Sequence, residues 1–263
     1  MARGVIVTGA SSGIGLGIAL KFLSEGDDVV LVGRSLDRLK DAIPADFQAK
    51  GKAHLLARDV STLDGCRGVM EEGVKLLGGR LDVLVNNAGA GKFGLALTDI
   101  TPEDWAFHIN LNLNSVLYLT QLAAPLLEAS HGSIANISSV GGQRPRPGAS
   151  AYCVAKAAVD MLTKASALEL APKGIRVNAI NPATVETNFF TSAGMTGDQA
   201  KAYMSASAAL HPIGRVGVPA DVAELCFFLT DGAKSGWLTG QSIVLDGGRL
   251  LTLTTAQRGT SNN

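Results

Sequence analysis

Tyr152 and Lys156 stand four residues apart in the stretch "GASAYCVAKAAVDML". Residues so spaced share one helix face, so a phenol and an ammonium would meet there one turn apart. A free phenol has a pKa near ~10, too high for a base at neutral pH. A neighbouring cation favours its ionised form, and the pair can then take or give a proton. The plain alternative is a surface tyrosine beside a surface lysine. These two residues alone leave both readings open.

A second stretch with chemical content is "TGASSGIG", where Gly9, Gly13 and Gly15 surround Ser11, Ser12 and Ile14. Its spacing is G-x-x-x-G-x-G rather than the G-x-G-x-x-G of the dinucleotide fingerprint. The physics is shared: glycines let backbone approach a pyrophosphate, and a following helix offers free N–H groups and a positive dipole end. A turn that merely needs glycine is the alternative. The position between an apolar run and a helical pattern favours the phosphate reading.

Downstream, Gly33, Arg34 and Ser35 end the second apolar run. An NAD site usually carries an acid at this strand end for the ribose 2′-hydroxyl. Here glycine stands beside an arginine, whose guanidinium can fork onto a 2′-phosphate. NADP(H) is therefore favoured, with NAD(H) still possible. Asp59 and Val60, read as ending the third strand, are placed at the adenine edge. Asn87, Ala88 and Gly89, after the fourth, are placed near the ribose.

These residues need a scaffold, and the apolar pattern supplies one. Short runs at 4–9, 27–34, 52–60, 81–89, 132–139, 174–182 and 242–248 read as strands. Helical patterns lie at 13–25, 36–49, 62–77, 103–128 and 150–171. Runs apolar on both faces, alternating with helices, predict a parallel sheet covered on both sides, a doubly wound α/β fold. One domain over 1–263 is expected, with a binding-loop or lid insertion at about 186–215. The polar residues after Gly248 read as a fraying tail.

Composition excludes several classes. The 263 residues carry 23 basic and 23 acidic side chains, so nothing asks for a nucleic-acid or anionic-membrane partner. No apolar stretch reaches the ~18 residues of a membrane span, and no leader precedes the first strand. Cys66, Cys153 and Cys226 are odd in number and widely spaced, which supports neither disulfides nor zinc. His54, His108, His131 and His211 lack ligand spacing, so no metal is expected. A cytoplasmic protein is the default.

In order, "TGASSGIG", "DVS", "NNAG", "LNLNSVLYLTQ", "GSIANISS", "AYCVAKAAV" and "IRVNAINPATVET" resemble the short-chain dehydrogenase/reductase family, as does "GRVGVPADVAELCFFLTDGAKSGWLTGQSIVLDGG". Nearly the whole chain is covered. The resemblance implies a Rossmann fold with a seven-stranded parallel sheet in the order 3-2-1-4-5-6-7. It implies an NAD(P)(H)-dependent oxidoreductase that interconverts a carbonyl and a secondary alcohol.

It also implies a tetrad of Asn112, Ser139, Tyr152 and Lys156, with Asn110, Asn114 and Ser138 as neighbours competing for the roles. Tyr152 would exchange the substrate proton and Ser139 would hold the substrate oxygen. Lys156 would lower the phenol's pKa and bind the cofactor ribose. Asn112 would hold a water, while Pro182, Val185 and Thr187 would flank the nicotinamide. The family's usual Pro-Gly is Pro182-Ala183 here.

Lys92, Phe93, Gln143, Arg144, Phe189 and Phe190 are the candidates for substrate contacts. The segment "GGQRPRPGASAY" is unusual: if it is extended, Arg144 and Arg146 project alike, either onto a carboxylate or phosphate of the substrate or out to solvent and the acids of a neighbouring subunit. A homotetramer is expected from the family.

Three rival readings stay open. A 3-oxoacyl-acyl-carrier-protein reductase would need basic docking residues, of which only Lys173 is present beside Glu128-Ala129-Ser130. A catalytically silent nucleotide-binding regulator would not need a full tetrad, and a scaffold for protein interactions would not need the glycines.

Overall fold

The computed structural model describes residues 2–43 and 53–252. Seven parallel strands form one sheet: β1 Gly4–Thr8, β2 Asp28–Gly33, β3 Ala53–Ala57, β4 Val83–Asn86, β5 Ser133–Ile137, β6 Arg176–Pro182 and β7 Ser242–Leu245. Their order is β3-β2-β1-β4-β5-β6-β7, as expected. The chain reverses direction across the sheet between β1 and β4, so the ends of these two strands open a crevice there.

Both sheet faces are buried, which is why the strands read as unbroken apolar runs. On one face Val5, Val7, Val29, Leu31, Val83 and Val85 pack with Phe22 of helix α1 (Gly13–Ser24). On the other, Ile6, Val30, Leu84, Ile134 and Val177 pack with Leu119, Ala123 and Leu127. Successive strand residues point to opposite faces, so each run feeds both layers.

Two expected boundaries shift. The third strand ends at Ala57, so Asp59 and Val60 lie in the loop beyond it. The fifth ends at Ile137, which puts Ser139 two residues past its end. The first part of the expected 36–49 helix is α2, Leu36–Ala42, and 44–49 fall outside the described residues. Helix α3 covers Leu63–Leu76.

The helix expected over 103–128 is not continuous. α4 (Pro102–Ile109) and α5 (Ser115–Ser130) flank a π-turn at Asn110–Asn114. The local cause is Asn112, whose amide donates to the His108 carbonyl at 3.0 Å and to Ala90 O at 2.9 Å. Such single-turn bulges are frequent at functional sites.

Tyr152 and Lys156 lie on α6, Ser150–Leu170. The 186–215 segment contains α7 (Phe189–Ser192) and α8 (Gly197–Ala208), the latter closed by a Thr196/Gln199 capping box. Its base is pinned where Gly217 donates to Thr184 O at 2.9 Å and Glu186 N donates back to Gly217 O at 2.9 Å. α9 (Pro219–Thr230) and α10 (Gly232–Ser235) precede β7.

The expectation of a fraying tail fails for its first residues. Asp246 accepts from the backbone N–H of Gly248 and Leu250, at 2.8 and 2.7 Å, and holds a 3₁₀ turn at Arg249–Leu251. Residues 253–263 lie outside the described residues.

Among the described residues no helix is long and apolar enough to cross a membrane. Nor does any group of His, Cys, Asp and Glu among them have a metal-binding arrangement.

Candidate active site

A cavity of about 400 Å³ opens along the carboxyl ends of the strands. Its floor begins at the glycine loop. Gly9 and Gly13 adopt φ of 66° and 56°, the left-handed region that glycine tolerates best. Gly15 faces a different limit: a Cβ there would stand 2.3 Å from Asn87 Nδ2 and 2.4 Å from Gly9 O. No side chain caps α1 at Ser12, so its first N–H groups are left for an anion.

Asn87 itself is committed to the scaffold. Its amide donates to Thr8 O at 2.8 Å and to Gly9 O at 3.2 Å, stitching the β1 and β4 ends together. The Thr8 hydroxyl accepts from the N–H groups of Asn87 and Ala88, both at 3.0 Å. Ala88 and Gly89 line the cavity beside them.

At the β2 end the wall is basic. Arg34 lines the cavity as expected and has no carboxylate partner among the described residues. Arg38 and Arg58 line it as well, and the sequence reading passed over both. Arg58 was legible as the residue before Asp59 in "ARDV". Its guanidinium is held by Ala57 O at 2.8 Å and by Glu72. Asp59 and Val60 line this end too. Ser35 does not; its hydroxyl caps α2 by accepting from Arg38 N at 3.3 Å.

The tetrad meets at the centre. Lys156 is 4% exposed and its Nζ donates to Ile137 O at 2.8 Å. It sits over the Tyr152 ring, 5.8 Å from the centroid, rather than at the hydroxyl. Burial lowers its pKa to about 8, with Asp160 opposing. Burial raises the Tyr152 phenol to about 12, while Ser139 and Arg146 pull it back.

The neighbours expected to compete separate cleanly. Asn112 is fully buried, both its N–H donors are spent on the protein, and its Oδ1 accepts from Ala90 N at 3.2 Å, so its side chain is committed to the scaffold. Asn110 and Asn114 bond one another at 2.9 Å at the surface. Ser139 lines the cavity, and its Oγ accepts from Gly141 N at 3.0 Å. Ser138 is buried and donates to Lys156 O at 3.1 Å, fastening α6 to the β5 end.

Beneath lies a buried pair the sequence reading missed. Asp160 Oδ2 accepts from Asn181 Nδ2 at 2.7 Å, and Asn181 also donates to Ser139 O at 3.0 Å. Burial raises the Asp160 pKa. The available signal was its position four residues after Lys156, on the same helix face.

Pro182, Val185 and Thr187 line the cavity next to Gly13. Ala183 needs no positive φ, and its N–H donates to Leu245 O at 3.2 Å, so the missing glycine costs no strain.

At the far end, Phe93 meets Tyr152 edge-on with centroids 5.5 Å apart, and Phe189 at 5.8 Å. Phe190 meets Tyr203 at a tilt, with ring centroids 4.5 Å apart. Two substrate candidates do not line the cavity. Lys92 turns away to Asp104, at 2.7 Å, and Gln143 is exposed. Arg144 lines it but is spent, donating to Thr252 O at 3.0 Å and to Leu250 O. Arg146 instead lies over the Phe93 ring at 4.6 Å and donates to Tyr203 Oη at 3.1 Å. The two arginines therefore diverge in their partners, Arg144 bonding the C-terminal turn and Arg146 the aromatic wall.

An uncapped helix N-terminus, a glycine floor that any Cβ would fill and a basic wall together fit a phosphorylated dinucleotide. The glycine loop and Arg34 would hold its phosphates, and Lys156 would meet its ribose. When bound, such a group supplies a hydride donor or acceptor.

Comparison with known proteins agrees with this geometry. Residues 9–249 match a family model described as enoyl-(acyl carrier protein) reductase. A 3-oxoacyl-[acyl-carrier-protein] reductase, FabG, of Thermotoga maritima is 37% identical over 94% of this chain and 97% of that protein. A 3beta-hydroxysteroid dehydrogenase of Mediterraneibacter gnavus is 40% identical over 70% of this chain and 66% of that protein. Among solved structures, a short-chain dehydrogenase/reductase of unknown function from Caenorhabditis elegans, with cofactor, superposes with a TM-score of 0.91 at 37% identity, covering 97% of each chain. ElxO with NADP bound superposes with a TM-score of 0.86 at 31% identity, covering 96% of this chain and all of that one.

The chain belongs to the short-chain dehydrogenase/reductase family. It is an oxidoreductase that interconverts a carbonyl and an alcohol with a nicotinamide nucleotide.

Proposed function

We propose that the chain is a single-domain, NADP(H)-preferring reductase of apolar or aromatic carbonyls, with Tyr152 as the proton donor. The observation that carries this is the placement of Tyr152, Ser139 and Lys156 midway along one cavity, between a basic glycine-floored end and an aromatic end. Arg34, Arg38 and Arg58 around the β2 and β3 ends support the 2′-phosphate. The neighbour ElxO, whose structure holds NADP, agrees with that preference.

Ser139 positions the substrate oxygen and Tyr152 gives it a proton. Lys156, whose ammonium is buried, would donate hydrogen bonds to the hydroxyls of the nucleotide's ribose. The 186–215 insertion, with Phe189, Phe190 and Tyr203, acts as the lid over the substrate. Three reduced, buried cysteines suit a cytoplasmic protein. Val154, Met161 and Leu168 are exposed along α6, and Trp237 stands 98% exposed before β7, two faces that suit a homotetramer.

A second reading, the 3-oxoacyl-carrier-protein reductase, is favoured by the Thermotoga maritima relative. Against it, Lys173, the one docking cation expected from the sequence, is paired with Glu128 at 3.1 Å.

The test is oxidation of NADPH with a panel of neutral aryl and alkyl ketones, run on the wild type and on Tyr152→Phe. Turnover with at least one ketone is expected. The substitution should lower it by about 10²–10⁴-fold while NADPH affinity stays within about threefold. A Tyr152→Phe rate within tenfold of wild type sinks the assignment of the proton donor.

A further inference from the structure

The cavity is lined by seven basic side chains and one acid, Asp59, which sits at the nucleotide end. Arg34, Arg38 and Arg58 account for that end. The aromatic end holds Arg144, Arg146 and Arg249 with no acid among the residues lining it. Arg144 is spent on the chain, held by the Leu250 and Thr252 carbonyls. Arg249 and Arg146 each engage the chain through Nη1, Arg249 at the Thr252 hydroxyl at 3.0 Å. Of these two, Arg146 is the one that lies on a ring in contact with Tyr152.

Its guanidinium carbon lies 4.6 Å from the Phe93 ring centroid, and among the described residues Nη1 alone has a hydrogen-bond partner, Tyr203 Oη at 3.1 Å. It pairs with no carboxylate among the described residues. Nε–H and Nη2–H remain, and these two form the parallel edge that binds a carboxylate bidentately. The group is fixed from two sides, by an aromatic face and a phenol, so little side-chain entropy would be lost on binding. Phe93 in turn meets Tyr152 edge-on, so this edge and the proton donor border the same aromatic pocket. The pull that Arg146 exerts on the Tyr152 phenol reflects the same proximity.

We propose that Arg146 reads a carboxylate on the substrate, so that the preferred substrates are aromatic or apolar keto acids rather than neutral ketones. This inference rests on the carbonyl-reductase reading above and narrows it to a charge class. The rival is that Arg146 only latches the lid helix α8 to the loop before α6, through Tyr203.

The experiment compares benzoylformate and 3-benzoylpropionate with their methyl esters, with NADPH, on wild type, Arg146→Gln, Arg146→Lys and Tyr203→Phe. For wild type, at least one acid should exceed its ester in kcat/KM by about 10- to 100-fold, the value of a charge-assisted pair. Arg146→Gln should erase the acid-to-ester ratio, and Arg146→Lys should keep only part of it. Tyr203→Phe, which cuts the latch alone, should keep the ratio within about threefold of wild type.

An acid advantage that survives Arg146→Gln overturns the proposal, as does a wild type in which neither acid outruns its ester. Equal loss for acid and ester in Arg146→Gln, matched by Tyr203→Phe, assigns the latch instead. Ester reduction alone would leave the carbonyl-reductase reading standing while removing the carboxylate. No turnover of acid, ester or any panel ketone would remove both.

Discussion

At the nucleotide end of the cavity the lining is mostly backbone, and at the substrate end it is mostly side chain. Gly9, Gly13 and Gly15 leave the β1–α1 turn bare, and Asn87 and Thr8 lock it to β4 through five hydrogen bonds. At the other end, Phe93, Phe189, Phe190 and Tyr203 meet ring against ring, and the wall is completed by a C-terminal turn that Arg144 ties down. The difference teaches where tolerance lies. Backbone that must approach a ligand admits no added atom, whereas an aromatic wall on a short insertion can be rebuilt one residue at a time.

Glycines give the sharpest contrast. Gly15→Ala drives a Cβ into backbone and Asn87, and should cost about 1–3 kcal/mol. For a chain of this size that is a Tm loss of roughly 2–10 °C by calorimetry, and the misplaced turn should also weaken NADPH binding. Gly197, at the start of α8 in the insertion, has nothing within 4 Å of such a Cβ and no positive φ. Gly197→Ala should therefore leave Tm unchanged or raise it slightly, by up to ~1 kcal/mol of stability. Equal losses at the two positions would dissolve the contrast.

A smaller effect separates the centre from both ends. Lys156 carries its charge below a pKa of about 8 and loses it above, because burial disfavours the ammonium. Nucleotide affinity that uses this charge is complete below pH 8 and declines as pH rises through it. The expected weakening of NADPH binding between pH 7 and pH 9.5 is about three- to tenfold, the difference between a charged and a neutral hydrogen bond. Lys156→Met should show no such slope in a fluorescence titration. A flat wild-type profile would contradict the role given to Lys156.

How far the site was legible follows the same division. The glycine loop and the Tyr152–Lys156 pair were readable from local spacing, whereas the strand order and Ser139 came through the ordered motifs that resemble the family. The π-turn at Asn112 was not, since it needs the amide of one residue to reach Ala90 across the fold. Arg144 was read as a substrate contact because its partners, Leu250 and Thr252, lie more than a hundred residues away in what looked like a tail. Lys92 was misplaced for a similar reason, as Asp104 comes close only once α4 has docked. Asp160 and Asn181 were hidden in ordinary helix and strand patterns, and only burial reveals them as a pair.

The claim on which the rest depends is that the basic end of the cavity reads a phosphate. The direct measurement is the ratio of kcat/KM for NADPH and NADH with one ketone that the enzyme reduces, for wild type and for the double substitution Gly33→Asp, Arg34→Ile. Wild type should favour NADPH by about ten- to hundredfold, the worth of a lost charge-assisted phosphate contact. The variant, with a carboxylate at the β2 end and no guanidinium, should favour NADH. A wild type that already prefers NADH, or a ratio that the double substitution leaves in place, would contradict the account.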